Sequence, residues 1–272
     1  MARQGKPIHT AKPRRGRGFG RLLFIICVLL LLWAAAYAAG GYFGAIHPPA
    51  APAEPRYTGT APFTVAIDAG HGGRDNGAVG FVVEKEMTTA TAQALVALLE
   101  ADPNFIPVTT RQSYEDTAEP ADRAAQANRQ QAQLLLSIHG NAAATAEPAG
   151  FECYPVPPGR TRHEASRYFA RQLAAEMSAA GQTLRGDEGV RYAYYGMNNE
   201  KTIVDGSTKM PSLLPTFGIL EHADCPAVLV EQCFVTSEAD AAAFGSGEGI
   251  QVAARCYYRA ICAYFDLQPM DE

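Results

Sequence analysis

Two patterns of apolar residues alternate along the chain. Short runs rich in β-branched residues or leucine predict strands at Thr64–Ile67, Phe105–Arg111, Leu134–His139, Phe151–Val156 and Ala227–Phe234. Apolar residues three or four positions apart predict helices over Lys85–Glu100, Pro120–Gln131, Thr161–Gly181, Ser237–Phe244 and Gly249–Phe265. The third helix begins with a capping box formed by Thr161 and Glu164. This alternation predicts an α/β fold, with a twisted, mostly parallel sheet of about six strands and helices on both faces.

An uncharged apolar run of 18 residues, Leu22–Ala39, precedes this region. Its length is close to the ~20 residues that a helix needs to span a bilayer. Arginines directly ahead of the run place the N-terminus in the cytoplasm by the positive-inside rule, and the rest of the chain in the cell envelope, outside the cytoplasmic membrane. The alternative is secretion after cleavage of a signal peptide at Ala36-Tyr37-Ala38.

The chain of 272 residues therefore divides into four parts. Residues 1–21 form a basic cytoplasmic tail, 22–44 a transmembrane anchor or uncleaved signal, 45–62 a linker rich in proline and alanine, and 63–266 a single globular domain. The tail carries seven basic residues and no acidic one, which leaves 16 basic and 28 acidic residues for the remainder. A globular domain this acidic is a poor candidate for binding nucleic acid. We expect the protein to act as a monomer.

Polar residues occur at strand ends, where a buried core would not select them. His71 follows the first strand in a glycine-rich loop, His139 closes the third, and Glu231 interrupts the last. The carboxyl ends of parallel strands lie along one edge of a sheet, so these side chains can converge, and Glu84 can join them from the start of the first helix. These residues can also be interpreted without a functional site: the histidines as hydrogen-bonded loop residues, and Glu84 as a favourable charge at a helix N-terminus. A buried, ionised Glu231 is harder to dismiss, because it would cost several kcal/mol unless paired or coordinated.

The residues His71, Glu84 and His139, with one open position, match the ligand set of a catalytic zinc ion. Zinc lowers the pKa of a bound water to about 7 and polarises a carbonyl oxygen. Glu231 is then available as the general base, which later protonates the leaving amine. None of the cysteines has CxxC spacing, so a cysteine zinc site is not supported. The predicted reaction class is amide hydrolysis through a tetrahedral intermediate.

Three motifs in this order resemble the zinc-dependent N-acetylmuramoyl-L-alanine amidases of the cell-separation type: IDAGHGGRDNGAVG followed by EK, then SIHGNA, then PAVLVEQCFVTS. The resemblance covers roughly Thr64 to Tyr264. It implies that 63–266 is a catalytic domain in which His71, Glu84 and His139 bind Zn²⁺ and Glu231 is catalytic. It further implies hydrolysis of the bond between N-acetylmuramic acid and L-alanine in peptidoglycan.

The sequence also departs from the family pattern. Cys233 stands where the family usually has glycine, and Glu221 where it often has arginine, which puts substrate contacts in doubt more than catalysis. The segment Arg191–Pro215 is longer than usual, and its tyrosines could line the substrate groove, cover it as an inhibitory flap, or pack. Two alternatives stay open. The protein could be a catalytically inactive zinc-binding module with a wall-binding or regulatory role, or a zinc peptidase that cuts within the stem peptide of peptidoglycan.

Overall fold

The computed structural model describes residues 24–32, 57 and 59–270 of the chain. In the N-terminal unit, Met1–Ala53, residues 24–32 form an exposed helix, α1. None of the helices in the described ranges combines the length and apolar character needed to cross a membrane. The rest of the anchor predicted at 22–44, the basic tail and most of the linker lie outside the described residues.

The second unit, Glu54–Glu272, contains the predicted alternation of strands and helices. Its strands are β1 (Phe63–Ala69), β2 (Phe105–Thr109), β3 (Leu134–Asn141), β4 (Glu152–Pro155), β5 (Arg191–Tyr195), β6 (Lys201–Asp205) and β7 (Ala227–Phe234). Its helices are α2 (Glu84–Ala101), α3 (Pro120–Arg129), α4 (His163–Ala179), α5 (Gly218–His222), α6 (Glu238–Phe244) and α7 (Glu248–Tyr264). The α/β fold class is thereby confirmed.

Five strands form the main sheet, in the order β2-β1-β3-β7-β4. Strands β2, β1, β3 and β7 pair in parallel, whereas β4 runs antiparallel to β7 at the edge. Strands β5 and β6 form a separate antiparallel hairpin. The prediction of a mostly parallel sheet is therefore confirmed, but the main sheet has five strands where about six were expected, and the two further strands form the separate hairpin. The hairpin, with α5 after it, occupies a stretch for which the apolar pattern predicts no element.

Helices cover both faces of the main sheet, as predicted. Strand residues alternate between the two sides, so Val65 and Ile67 of β1 pack into one core with α2, α4 and α7, while Ala66 packs into the other with α3 and α5. Strand β7 is buried along its whole length. Burial on both faces explains why the central strands have continuous apolar sequences and no alternation.

The capping box predicted at the start of α4 is absent. The helix begins at His163 with Arg162 at the N-cap position, and no side chain there caps the first amides. Instead, the Arg160 carbonyl accepts a hydrogen bond from the His163 amide at 3.1 Å, and the Arg162 carbonyl accepts one from Ser166 at 3.0 Å. A backbone turn thus replaces the side-chain cap that the spacing of Thr161 and Glu164 suggests.

Candidate metal centre

The three predicted ligands lie together at the carboxyl edge of the sheet. Nε2 of His71 lies 2.8 Å from Oε1 of Glu84, and Nδ1 of His139 lies 3.1 Å from the same oxygen and 3.2 Å from Nε2 of His71. A tetrahedral ion with ligand bonds of about 2.0–2.1 Å would separate its ligand atoms by about 3.3 Å. The triangle of donor atoms is therefore close to the size that a single ion requires, and these residues could hold one.

The electrostatics of His71 and Glu84 favour an added positive charge. Burial lowers the pKa of His71, but hydrogen bonds and negative charge from Glu84 and Asp75 outweigh it and raise the pKa to about 9. Burial raises the pKa of Glu84, but its bonds to His139 and His71 hold that pKa well below its ordinary value. Since metal ligands bind in their deprotonated forms, a cation competes for the position that a proton would otherwise take.

The backbone at His71 is held in an unusual conformation. Its φ of 62° lies in the left-handed region, which is uncommon for a residue with a side chain. Arg111 braces this turn by donating hydrogen bonds to the carbonyls of His71 and Ala69. A Cβ at the adjacent Gly70 would lie 2.5 Å from Cε1 of His139, so only glycine lets the two histidines approach.

A buried carboxylate, Asp68, supports the turn from inside the sheet. It is fully buried at the end of β1 and accepts hydrogen bonds from Nη1 of Arg123 at 2.8 Å and from Oγ of Ser137 at 2.7 Å. Thr110 donates to its other oxygen. These bonds tie α3, β3 and the end of β2 to β1, so the loop that carries His71 begins from a rigid base.

A second set of contacts orients the side chains of the candidate ligands. Nδ1 of His71 lies 2.8 Å from Oδ2 of Asp75, so Asp75 contacts one ring nitrogen of His71 and Glu84 contacts the other. Glu84 accepts hydrogen bonds from the amide of Gly140 at 2.9 Å and from the amide of Ala78 at 2.8 Å. Sequence reasoning missed Asp75, although its position four residues after His71 in the same loop was an available signal.

Glu231 lies on β7 directly opposite His139 of β3. The two side chains border one cavity of about 90 Å³, whose apolar lining includes Phe217, Ile219 and Leu229. Glu231 is only 9% exposed, and its Oε2 has no hydrogen-bond partner among the described residues. Burial raises its pKa, and the negative charge of Glu84 adds to the effect. Such a carboxylate can readily accept a proton.

A further buried carboxylate that the sequence did not predict, Glu152, faces Glu231 across the β4–β7 pair. Its Oε2 lies 3.1 Å from Nε of Arg191 and 3.5 Å from Nε of Arg185, and its other oxygen accepts a hydrogen bond from Asn141. The argument that singled out Glu231, an acidic residue inside a buried strand, applies equally to Glu152. It could have been found in that way.

The long segment Arg191–Pro215 contains the β5–β6 hairpin. Tyr192 and Tyr194 are buried and pack, whereas Tyr195 is half-buried, and its ring lies 5.8 Å from that of Phe217 beside the Glu231 cavity. The packing interpretation therefore holds for the first two tyrosines, and only Tyr195 is placed to line a groove.

The two positions that depart from the family pattern have structural contacts. Cys233 is buried, and its sulfur lies 3.6 Å from that of Met87. Glu221 forms an ion pair with Arg160 and accepts a hydrogen bond from the amide of Thr216 at 3.0 Å. Neither residue belongs to the group formed by His71, Glu84 and His139.

Comparisons with known proteins agree on one family. Its sequence profile, described as N-acetylmuramoyl-L-alanine amidase, matches residues 65–263. The N-acetylmuramoyl-L-alanine amidase AmiC of Escherichia coli is 28% identical over 223 residues, covering 75% of this chain and 53% of that protein. YqiI of Bacillus subtilis, an uncharacterized protein, is 31% identical over 204 residues, covering 75% of this chain and 85% of that protein.

Solved structures show the same fold. The catalytic domain of CwlV, an N-acetylmuramoyl-L-alanine amidase from Bacillus (Paenibacillus) polymyxa var. colistinus, superposes with a TM-score of 0.59 at 27% identity. The superposition covers 76% of this chain and 99% of that domain. In sequence, however, the chain spans only about half the length of the first curated relatives that it matches.

Proposed function

Because the chain belongs to the N-acetylmuramoyl-L-alanine amidase family, we propose that it hydrolyses the amide bond between N-acetylmuramic acid and L-alanine in peptidoglycan. The observation that carries the proposal is the position of Glu231. Its carboxylate is buried, one of its oxygens has no hydrogen-bond partner in the described part of the chain, and it lies next to three residues that could hold a metal ion. A protein that only binds the wall does not need this second carboxylate beside Glu84.

The metal that we propose for the site is zinc, held by Nε2 of His71, Oε1 of Glu84 and Nδ1 of His139. Two imidazoles and one carboxylate are a common ligand set of catalytic zinc, and the spacing of the donor atoms fits a tetrahedral ion. Zinc bound there would polarise the scissile carbonyl and lower the pKa of the attacking water. Asp75 keeps the ring of His71 in the tautomer that directs a lone pair to the centre.

Glu231 acts in this proposal as general base and then as general acid. Its buried carboxylate takes a proton from the attacking water and returns it to the nitrogen of L-alanine as the amide bond breaks. Two cavities, of about 90 and 330 Å³, share His139, Pro120 and Arg123. Because the cavities meet at a ligand, the site has room for groups on both sides of the scissile bond.

Digestion of purified sacculi tests the function. The wild-type protein should release peptides that begin with L-alanine, which mass spectrometry identifies, and a chelator should stop the release. Glu231→Gln should retain its metal and release no such peptides. Undiminished release by this variant would remove Glu231 from the mechanism, whereas products cut within the stem peptide would identify a peptidase.

We further propose that the chain acts in the cell envelope as a membrane-tethered protein. The support comes from the sequence: an uncharged run at 22–39 follows an arginine cluster, and a proline-rich linker separates it from the amidase domain. A carbonate wash of isolated membranes should leave the full-length chain bound, while a variant with residues 1–44 deleted should be found in the soluble fraction. Release of both proteins by carbonate would contradict the tether.

A further inference from the structure

The β5–β6 hairpin is held in place beside the proposed catalytic carboxylate, Glu231. At its base, Arg191 is ion-paired to Glu152 at 3.1 Å, and Glu152 faces Glu231 across the sheet. At the end of β5, the amide of Tyr195 donates a hydrogen bond to the carbonyl of Pro215 at 2.9 Å. With Tyr192 buried between these points, the hairpin is held along the whole of β5.

Lys201 lies on this hairpin, next to a residue that lines the cavity beside Glu231. It pairs directly with Tyr195 in the hairpin register, so the two side chains share one face. Its Nζ lies 5.4 Å from the centre of the Phe217 ring, and the Tyr195 ring packs edge-on against the same ring. Phe217 in turn lines the cavity that Glu231 and His139 share. The ammonium group therefore lies at the margin of the reaction site.

The charge of Lys201 has no carboxylate partner within the described part of the chain. Cations nearby differ in this respect: Arg123 is paired with Asp68, and Arg185 and Arg191 with Glu152. An exposed, unpaired ammonium group at the margin of a cavity is suited to bind an anionic group of a ligand.

We propose that Lys201 is a specificity-determining residue that binds a carboxylate of the leaving peptide. The inference rests on the proposed amidase function. The nitrogen of L-alanine must come within hydrogen-bonding distance of Glu231 to receive its proton, so groups that flank Glu231 also flank the leaving peptide. In peptidoglycan the residue after L-alanine is a D-glutamyl residue linked through its γ-carboxyl, and its α-carboxyl is either free or amidated. The free carboxylate is the chemical complement of Lys201.

Two muropeptide substrates that differ only at this α-carboxyl, free in one and amidated in the other, test the proposal. The wild-type protein should cleave the free acid with a kcat/KM about fivefold higher, chiefly through KM, because the contact is a solvent-exposed charge pair. Lys201→Met should bring the ratio close to one, whereas Lys201→Arg should largely retain the preference. Lys209→Met, which removes an equal charge from the exposed loop after the hairpin, should leave the ratio unchanged.

Binding gives a second measure that does not depend on turnover. In a Glu231→Gln background, calorimetry should show tighter binding of the free acid than of the amide, and Lys201→Met should remove the difference. A preference that survives Lys201→Met, or an equal loss on both substrates, would overturn the assignment of Lys201. Cleavage of neither substrate by the wild-type protein would instead contradict the amidase function, and with it this inference.

Discussion

The replacement Asp75→Asn offers a sharp test of how the proposed ligands are oriented. If His71 binds the proposed metal through Nε2, its neutral ring carries the proton on Nδ1, which then donates a hydrogen bond to Oδ2 of Asp75 at 2.8 Å. Oδ1 of Asp75 accepts a second hydrogen bond from the amide of Gly77 at 2.9 Å. Asparagine has only one oxygen. Whichever way its amide is turned, one of the two donors faces an NH₂ group.

The structure also sets the size of the effect. Losing the partner of a ligating histidine typically costs 10- to 100-fold in metal affinity. Asp75 is 61% exposed at its side chain, so solvent screens its charge, and we expect a loss near the lower end, about tenfold. The assay is competition for zinc between the full-length protein and a chromophoric chelator at neutral pH.

A matched control is Glu115→Gln, which removes the same charge from an exposed loop position. Its zinc affinity should equal that of the wild-type protein. If Asp75→Asn binds zinc as tightly as the wild-type protein, Asp75 does not orient His71, and the role assigned to it is wrong. A loss of the same size in both variants would point to long-range charge and away from the hydrogen bond.

Three more predictions concern stability and metal retention. Asp68→Ala leaves Arg123 buried without its partner, so urea denaturation should show a loss of about 3–5 kcal/mol; a loss below ~1 kcal/mol would contradict the role of this pair. Gly70→Ala places a Cβ 2.5 Å from the His139 ring, so the folded variant should fail to retain zinc on a desalting column, and full retention would refute the steric argument. Burial raises the pKa of Glu231 above its ordinary value of about 4.5, so this proton stabilises the fold at low pH and the gain is lost as the pH rises. Metal-free wild-type protein should therefore lose thermal stability relative to metal-free Glu231→Gln as the pH increases, and parallel curves would exclude the effect.

The sequence allowed the central strands and long helices to be predicted because burial on both faces leaves continuous apolar runs and amphipathic spacing. The β5–β6 hairpin was missed for the opposite reason: β6 is mostly exposed and carries little apolar signal. The direction of β4 was not predictable from its own residues, since an edge strand can pair either way. Its orientation depends on the chain path after β3.

In the candidate site, too, some residues could be predicted from the sequence and others could not. The sequence indicated His71, Glu84, His139 and Glu231 because each is an unexpected polar residue at a predicted element end or inside a buried strand. The roles of Asp68 and Arg111 could not be predicted, because their contacts join distant parts of the chain. Arg111 braces a turn 40 residues earlier in sequence, and such a contact exists only once β1 and β2 are paired.

Elemental analysis of the purified full-length protein tests the central claim most directly. The account predicts about one zinc ion per chain in the wild-type protein and essentially none in a folded His139→Ala variant, since a three-residue site that loses a ligand cannot hold its ion. A wild-type protein that binds no divalent metal, or a His139→Ala variant that retains the full amount, would contradict it.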